Sequence, residues 1–232
     1  MKKYLFMAAL CALVTVSCKN DDGGPTPVGG GGDDPAVTAT YEVTFSPNFT
    51  KTAFPTDYPS NATFSPIVVA VHAPGKTIYG VGQLASDGLR ELAETGDRTA
   101  FVTELLEQGN QDGSDFLVTT ATNGGNGSQP QTVTVTINPG QNSISLVSSL
   151  SPSPDWFVGV SGVSMIASEN TLVDALTVSL TALDAGTDNG TTYNAPDSPT
   201  NPPQAVSEIG EPPLGSTTVG QSVGSVTFTR VN

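Results

Sequence analysis

Cysteine is nearly missing from this chain. Of 232 residues only Cys11 and Cys18 carry a thiol, and both lie near the start. The rest of the chain has no cysteine nucleophile, Cys-ligated metal or disulfide. Histidine is scarcer still, because His72 stands alone. A zinc site with several His is excluded, and a Ser–His–Asp triad would have to use His72. Basic residues are few: 8 Lys and Arg face 22 Asp and Glu, for a formal charge of −14. Past residue 39 they are Lys51, Lys76, Arg90, Arg98 and Arg230. No basic patch can be built from these, which excludes nucleic acid and anionic lipid surfaces as partners and favours cations. One Trp and five Tyr are too few for the aromatic cleft of a typical glycan-active enzyme. Long apolar runs are also missing. Leu5 to Val16 is about a dozen residues, too short to span a bilayer as a helix.

That short run has another use. Lys2 and Lys3 precede it, and Thr15-Val16-Ser17 leads into Cys18. A basic n-region, an apolar core and small residues before a Cys form a lipoprotein signal peptide (residues 1–17), with Cys18 lipidated. Plain secretion is the competing reading. Lys19, Asn20, Asp21 and Asp22 follow, in the manner of signals that place outer-membrane lipoproteins on the cell surface. Residues 18–39 then form a Gly-, Pro- and Asp-rich tether with too little apolar surface to offset its ordering entropy. As a coil it would reach roughly 25 Å.

Residues 40–232 suit one domain with a full core. Tyr41, Val43 and Phe45 alternate with Glu42, Thr44 and Ser46, the period of a half-buried strand. The same alternation recurs over 132–137, 176–181 and 226–229, with further strands expected over 143–150 and 156–163. Ile67 to Val71 reads as a strand buried on both faces or the buried start of a turn. Short strands separated by Gly, Pro, Asn and Asp indicate a β-sandwich or barrel. Ser86 to Gln108 breaks the pattern with helical spacing. Ser86 or Asp87 can cap a first helix that Gly96 ends, and Gly109 would close a second. Two such helices are expected over an end or an edge of the sheets. Residues 123–128 (NGGNGS) read as a flexible hairpin loop, and 194–213, with six prolines, as an irregular surface excursion.

Two acidic loops carry the chemistry. One is SPSPDWFVGVSG (151–162), the other DAGTDNG (184–190). Carboxylates in Gly-bearing loops offer hard oxygen donors, the type Ca²⁺ prefers. Asp155, Asp184 and Asp188, brought together, would repel one another without a cation. The loop is not an EF-hand, because Gly186 stands where an acid or amide is wanted. The alternative is that these Asp side chains only cap turns. Trp156 reads as a loop-anchoring aromatic or, alternatively, a stacking surface for sugar. His72, at the end of an apolar run, reads as structural.

The segments at 145–162 and 180–203, with YEVTFSPNFTKTAFPTDYPSNATFSPIVVAVHAP (41–74) and LASDGLRELAETGD (84–97), resemble the spondin N-terminal domain. The resemblance covers nearly the whole domain in order. It implies an all-β, C2-like antiparallel β-sandwich with a short helical insertion, extracellular placement, and a role in adhesion or matrix binding. It also implies Ca²⁺ held by Asp155 and Asp184. A further Glu ligand of the family aligns near Thr136, where this chain has no acid, and Asp188 or Asp87 is the compensating candidate. The cysteines of the animal members are missing here.

The sequence thus leads to the expectation of a lipid-anchored, surface-facing lipoprotein whose spondin-type domain (40–232) binds Ca²⁺ and an extracellular protein or glycan without catalysis. The alternatives are an envelope-assembly role in which calcium only stabilises loops and, from another class, a glycan-active enzyme using Asp155 and Asp184.

Overall fold

The computed structural model describes residues 38–112, 116–168, 171–215 and 220–232. The expected leader, the lipidated Cys18 and nearly all of the tether lie outside the described residues. The elements run β1 (Ala39–Pro47), β2 (Thr63–Phe64), β3 (Val68–His72), α1 (Asp87–Thr95), α2 (Thr99–Asp112), β4 (Leu117–Thr120) and β5 (Gly125–Asn126). They continue β6 (Gln131–Ile137), β7 (Ser143–Ser151), β8 (Trp156–Ser164), β9 (Ile166–Ser168), β10 (Thr171–Leu172), β11 (Ala175–Asp184), β12 (Ser207–Glu208) and β13 (Ser222–Arg230). The first strand takes in Ala39, one residue earlier than the sequence pattern places the domain boundary.

The main ladder is antiparallel, in the order β4-β3-β7-β8-β11-β13-β1-β6. It folds over at β11. Residues 175–181 of that strand pair with β13, and Ala182, Leu183 and Asp184 pair with β8. The register shifts between Leu180 and Thr181, where the partner changes. A bulge bends a strand and adds twist, which lets one strand serve both sheets of a sandwich. This corner carries Asp184 to the end of β8, where Asp184 lies opposite Trp156.

Between the two sheets lies a core of Tyr41, Val43, Phe45, Val69, Val71, Leu146, Val158, Val226 and Phe228. Each aromatic or aliphatic side chain taken fully out of water contributes about 1.5–3 kcal/mol. A second core lies on the other face of β3, β7 and β8. There Val68, Ala70, Val147 and Phe157 meet Leu89, Leu92, Phe101 and Leu105 of the helices. The helices therefore cover a sheet face, not an end or an edge as the sequence suggested. The cause is the apolar outer face itself, which also settles the Ile67 to Val71 run as a strand buried on both sides.

The first helix has the expected caps. The Ser86 hydroxyl accepts the Leu89 N–H, and Gly96, at φ 77°, donates its N–H to Leu92. The second passes through Gly109 and ends at Asp112, so Gly109 is not its stop. Residues 123–128 do not form a hairpin loop either. They link β4 in one sheet to β6 in the other, with β5 paired on β2. Gly127 accepts the Phe49 N–H, and a Cβ there would fall 2.0 Å from the Phe49 carbonyl oxygen.

His72 is fully buried and neutral. Its Nδ1–H donates to the Ala73 carbonyl at 3.0 Å. Its Nε2 accepts from the Ser145 hydroxyl at 2.7 Å, whose oxygen in turn accepts the Gly162 N–H. Burial pushes the imidazole below its ordinary range. It serves the structure, as its place at the end of an apolar run suggested.

Candidate metal and loop site

The site forms where two loops meet. The first is the tight turn from β7 to β8. The Ser153 hydroxyl donates to the Leu150 carbonyl and accepts the Trp156 N–H, so the turn is closed by a short polar side chain. The second follows β11. Asp184 accepts the Gly186 N–H at 2.7 Å. Gly186 sits at φ 74°, and a Cβ there would meet the Gln204 carbonyl oxygen at 2.3 Å. Only glycine fits at that step.

Asp155 joins the two. It has no exposed surface. Its Oδ2 accepts the Thr187 N–H at 2.7 Å, the Thr187 hydroxyl at 3.2 Å and the Asp188 N–H at 3.0 Å. Its own carbonyl accepts the Ala185 N–H. Its Oδ1, also buried, has no partner. Burial raises the Asp155 carboxyl above its ordinary range, and the Thr187 and Asp188 N–H groups oppose the rise. Asp184 is pushed up to about 6, by burial first and then by the negative charge of Asp155. The Trp156 indole N–H faces Asp184 closely enough to favour its charged form, yet makes no hydrogen bond of normal geometry.

Asp188 does a different job. Its Oδ1 accepts the Gly190 N–H and its Oδ2 the Ser198 N–H, both at 2.6 Å. It pins the acidic loop to the Pro-rich segment. That segment is not a loose excursion. Thr200 and Gln204 donate backbone N–H groups to Thr187 and Gly186, Val206 donates to Gln83, and Val206 is buried. Residues 207–208 pair with the end of β11. Trp156 is 2% exposed and lies edge-on to Tyr193, 5.5 Å between ring centroids. It anchors the loop and offers no stacking platform to a sugar.

The three sequence-selected carboxylates thus share one junction, with unequal roles. No group of three His, Cys, Asp or Glu side chains poised as a metal cluster occurs among the described residues. What fits a hard cation is narrower. It is the bare, buried Asp155 Oδ1 beside Asp184, a carboxyl that burial and a neighbouring charge both disfavour. A cavity of about 190 Å³ on the Asp184 side of the junction is lined by Asp184, Gly186, Asp188, Asn189, Thr200 and Gln204 among others, and Asp155 lies behind it, outside its lining. Thr136 is not part of this junction. It is exposed on β6 opposite Thr40, whose strand end lies level with Asp174 at the start of β11, the far end from Asp184. Asp87 is exposed on α1 and paired with Arg90 at 3.2 Å. The additional acids near Asp184 are Glu208 and Glu211, which share with it and Trp156 the lining of a cavity of about 220 Å³. They sit in the Pro-rich stretch, where no periodicity marked a strand.

One further string has catalytic spacing. Gly220-Gln221-Ser222-Val223-Gly224 matches the GxSxG elbow of serine hydrolases. Ser222 instead opens strand β13, donating to the Gly224 carbonyl and accepting from Ser179. The sole His is buried against Ser145. The strand-to-helix turn that gives the motif its meaning is not there.

Fold and junction together define an antiparallel β-sandwich module with an acidic loop site at one end of its corner strand. The Spondin_N family model matches residues 39–214. Human spondin-2 is 31% identical over 205 residues, covering 87% of this chain and 61% of that protein. Rat spondin-2 is 30% identical over 174 residues, covering 74% and 52%. Rat spondin-1 is 30% identical over 178 residues, covering 73% and 21%. The chain belongs to the spondin N-terminal domain family. It spans between about half and three fifths of the spondin-2 proteins and a fifth of spondin-1.

The raised Asp184 carboxyl makes stability depend on pH. A carboxyl at about 6 when folded and about 4 when unfolded takes up its proton first in the native state. Stability therefore rises as pH falls from 7 to 5, by about 1 kcal/mol for this group. His72, lowered by burial, works the other way: its contribution is present above about 6.5 and fades as pH falls. Comparison with Asp184→Asn at each pH isolates the carboxyl. In chelator, the stability gap between the two proteins in denaturant melts should shift by that amount in favour of the parent. A pH-independent gap contradicts the assignment.

Proposed function

We propose that this is the calcium-binding, non-catalytic domain of a surface-exposed outer-membrane lipoprotein, serving adhesion to, or binding of, an extracellular protein or glycan. One observation carries the calcium reading: the buried Asp155 Oδ1 has no partner and lies beside a carboxyl disfavoured in its charged form. Leaving such an oxygen unpaired costs about 1–3 kcal/mol, more for a charge. A divalent ion at Asp155 and Asp184 would remove that cost and stabilise both charges. Asn189 and backbone carbonyls would supply further oxygens, with Asp188 holding the loop and contributing least, because both its oxygens accept N–H groups.

The non-catalytic reading is supported by the same burial. A glycosidase needs two carboxyls that reach substrate, and Asp155 is sealed from solvent. The family relationship supports the adhesion reading, and the Lys2 to Cys18 leader supports the lipid anchor.

Calcium at a few millimolar should raise the melting temperature by the equivalent of about 1 kcal/mol, given the ~10⁻⁴–10⁻³ M affinity of extracellular modules. Asp184→Ala should abolish the shift. Equal melting curves in calcium and in chelator would sink the metal claim. For the anchor, Cys18→Ala should move the protein from the membrane fraction to the soluble one. Retention of the variant in the membrane fraction would count against lipidation at Cys18.

A further inference from the structure

A second cavity, of about 650 Å³, opens beside the acidic junction and plays no part in it. Its lining includes Lys51, Asp57, Tyr58, Thr192, Tyr193 and Asn194. That volume lies in the range of small-molecule sites. Four features set it apart from an ordinary surface fold.

The first is Tyr193. The residue is 2% exposed, and its phenol oxygen is buried without a hydrogen-bond partner. Buried Tyr hydroxyls usually find one. Its surroundings include Tyr58 and Asp57, both of which line the cavity. The second is Lys51. Arg90 and Arg230 are engaged by Asp87 and Asp174, whereas Lys51 makes no ion pair among the described residues. On a chain of charge −14, an unpaired ammonium in a cavity is the local feature able to hold an anion. The third is Asp57, which adopts φ 50°, the left-handed region. Non-glycine residues there cost energy and gather at ligand sites. The fourth is that two of the lining residues are aromatic, Tyr58 and Tyr193, and both are held by the buried Phe49, at 5.0 Å and 5.7 Å between ring centroids.

Lys51 supplies a point charge. Tyr193, Thr192 and Asn194 donate and accept, Asp57 accepts, and Tyr58, whose hydroxyl donates to the Phe49 carbonyl, keeps an acceptor oxygen. A set that mixes one cation with several neutral donors and acceptors suits an anionic group attached to a ring of vicinal hydroxyls. A small carboxylate without hydroxyls would use the Lys and leave the neighbouring donors and acceptors to water. We propose that this cavity binds a short saccharide containing a uronic acid, with Lys51 on the carboxylate and Tyr193, Asn194 and Asp57 on ring hydroxyls. This rests on the reading of the domain as a binding module, and not on its calcium.

The single Trp provides the readout, because Trp156 lies edge-on to Tyr193. The purified full chain is titrated with trigalacturonate and with neutral maltotriose, in calcium and in chelator, by Trp fluorescence and calorimetry. Trigalacturonate should bind saturably and at least about tenfold more tightly than maltotriose, with a change in Trp emission. Lys51→Gln should remove about tenfold of that affinity. Tyr193→Phe should weaken it severalfold while leaving the circular dichroism unchanged. Equal binding of the two sugars, full affinity in Lys51→Gln, or no saturable binding would overturn the proposal. So would an N-acetylated peptide with a free C-terminal carboxylate that binds as tightly as trigalacturonate. Failure of the sugar with the calcium-dependent melting shift intact condemns the cavity alone. Sugar binding without that shift condemns the calcium alone.

Discussion

One carboxylate holds the acidic-loop end of this domain together. Asp155 Oδ2 accepts three donors from the loop at 184–190, and its backbone accepts a fourth. Those bonds cross between segments some thirty residues apart in sequence. They fix the turn from β7 to β8 against the end of β11. A hydrogen bond to an ionised carboxylate contributes about 1.5–3 kcal/mol, twice a neutral one, and these bonds oppose the burial that raises the Asp155 carboxyl. The same bonding leaves the other oxygen sealed and bare, which is a cost the fold bears at that point.

The architecture makes the junction possible. Strand β11 belongs to both sheets and changes partner at the Leu180–Thr181 bulge. Its last residues therefore run beside β8, and the loop that follows lands on the Asp155 turn. The Pro-rich segment then closes over it through Asp188, Thr200 and Gln204. Trp156 and Tyr193 extend the packed region toward the Lys51 cavity. The buried Trp156–Tyr193 pair thus packs between the acidic loops and the Lys51 cavity.

Much of this was legible in the residues. Alternation at Tyr41, Val43 and Phe45 marked an inward face, and Ser86 and Gly96 marked the ends of α1. Asp155 and Asp184 stood out because carboxylates in Gly-bearing loops are hard oxygen donors and because both loops carry the family resemblance, although turn-capping accounts for such residues as well. Other features were hidden for physical reasons. Helical spacing says which side of a helix is apolar, not which surface it covers, so the face occupied by α1 and α2 could not be read. Gly109 resembled a stop because a helix interior tolerates glycine at a cost of only about 1 kcal/mol. The order of the 194–213 segment depends on long-range bonds to Gly186, Thr187 and Asp188, which leave no local pattern. Glu208 and Glu211 were missed for the same reason. Which end of a sheet Thr136 occupies has no local signature, because its place far from Asp184 follows from strand pairing.

Under the proposed reading, calcium resolves the tension that the Asp155 junction creates, and the most direct test is where the ion sits. A crystal structure of the domain in calcium should show an ion within about 2.3–2.6 Å of Asp155 Oδ1 and of an Asp184 oxygen. A structure in which a backbone N–H or a water caps Asp155 Oδ1, with no ion near Asp184, would contradict the account.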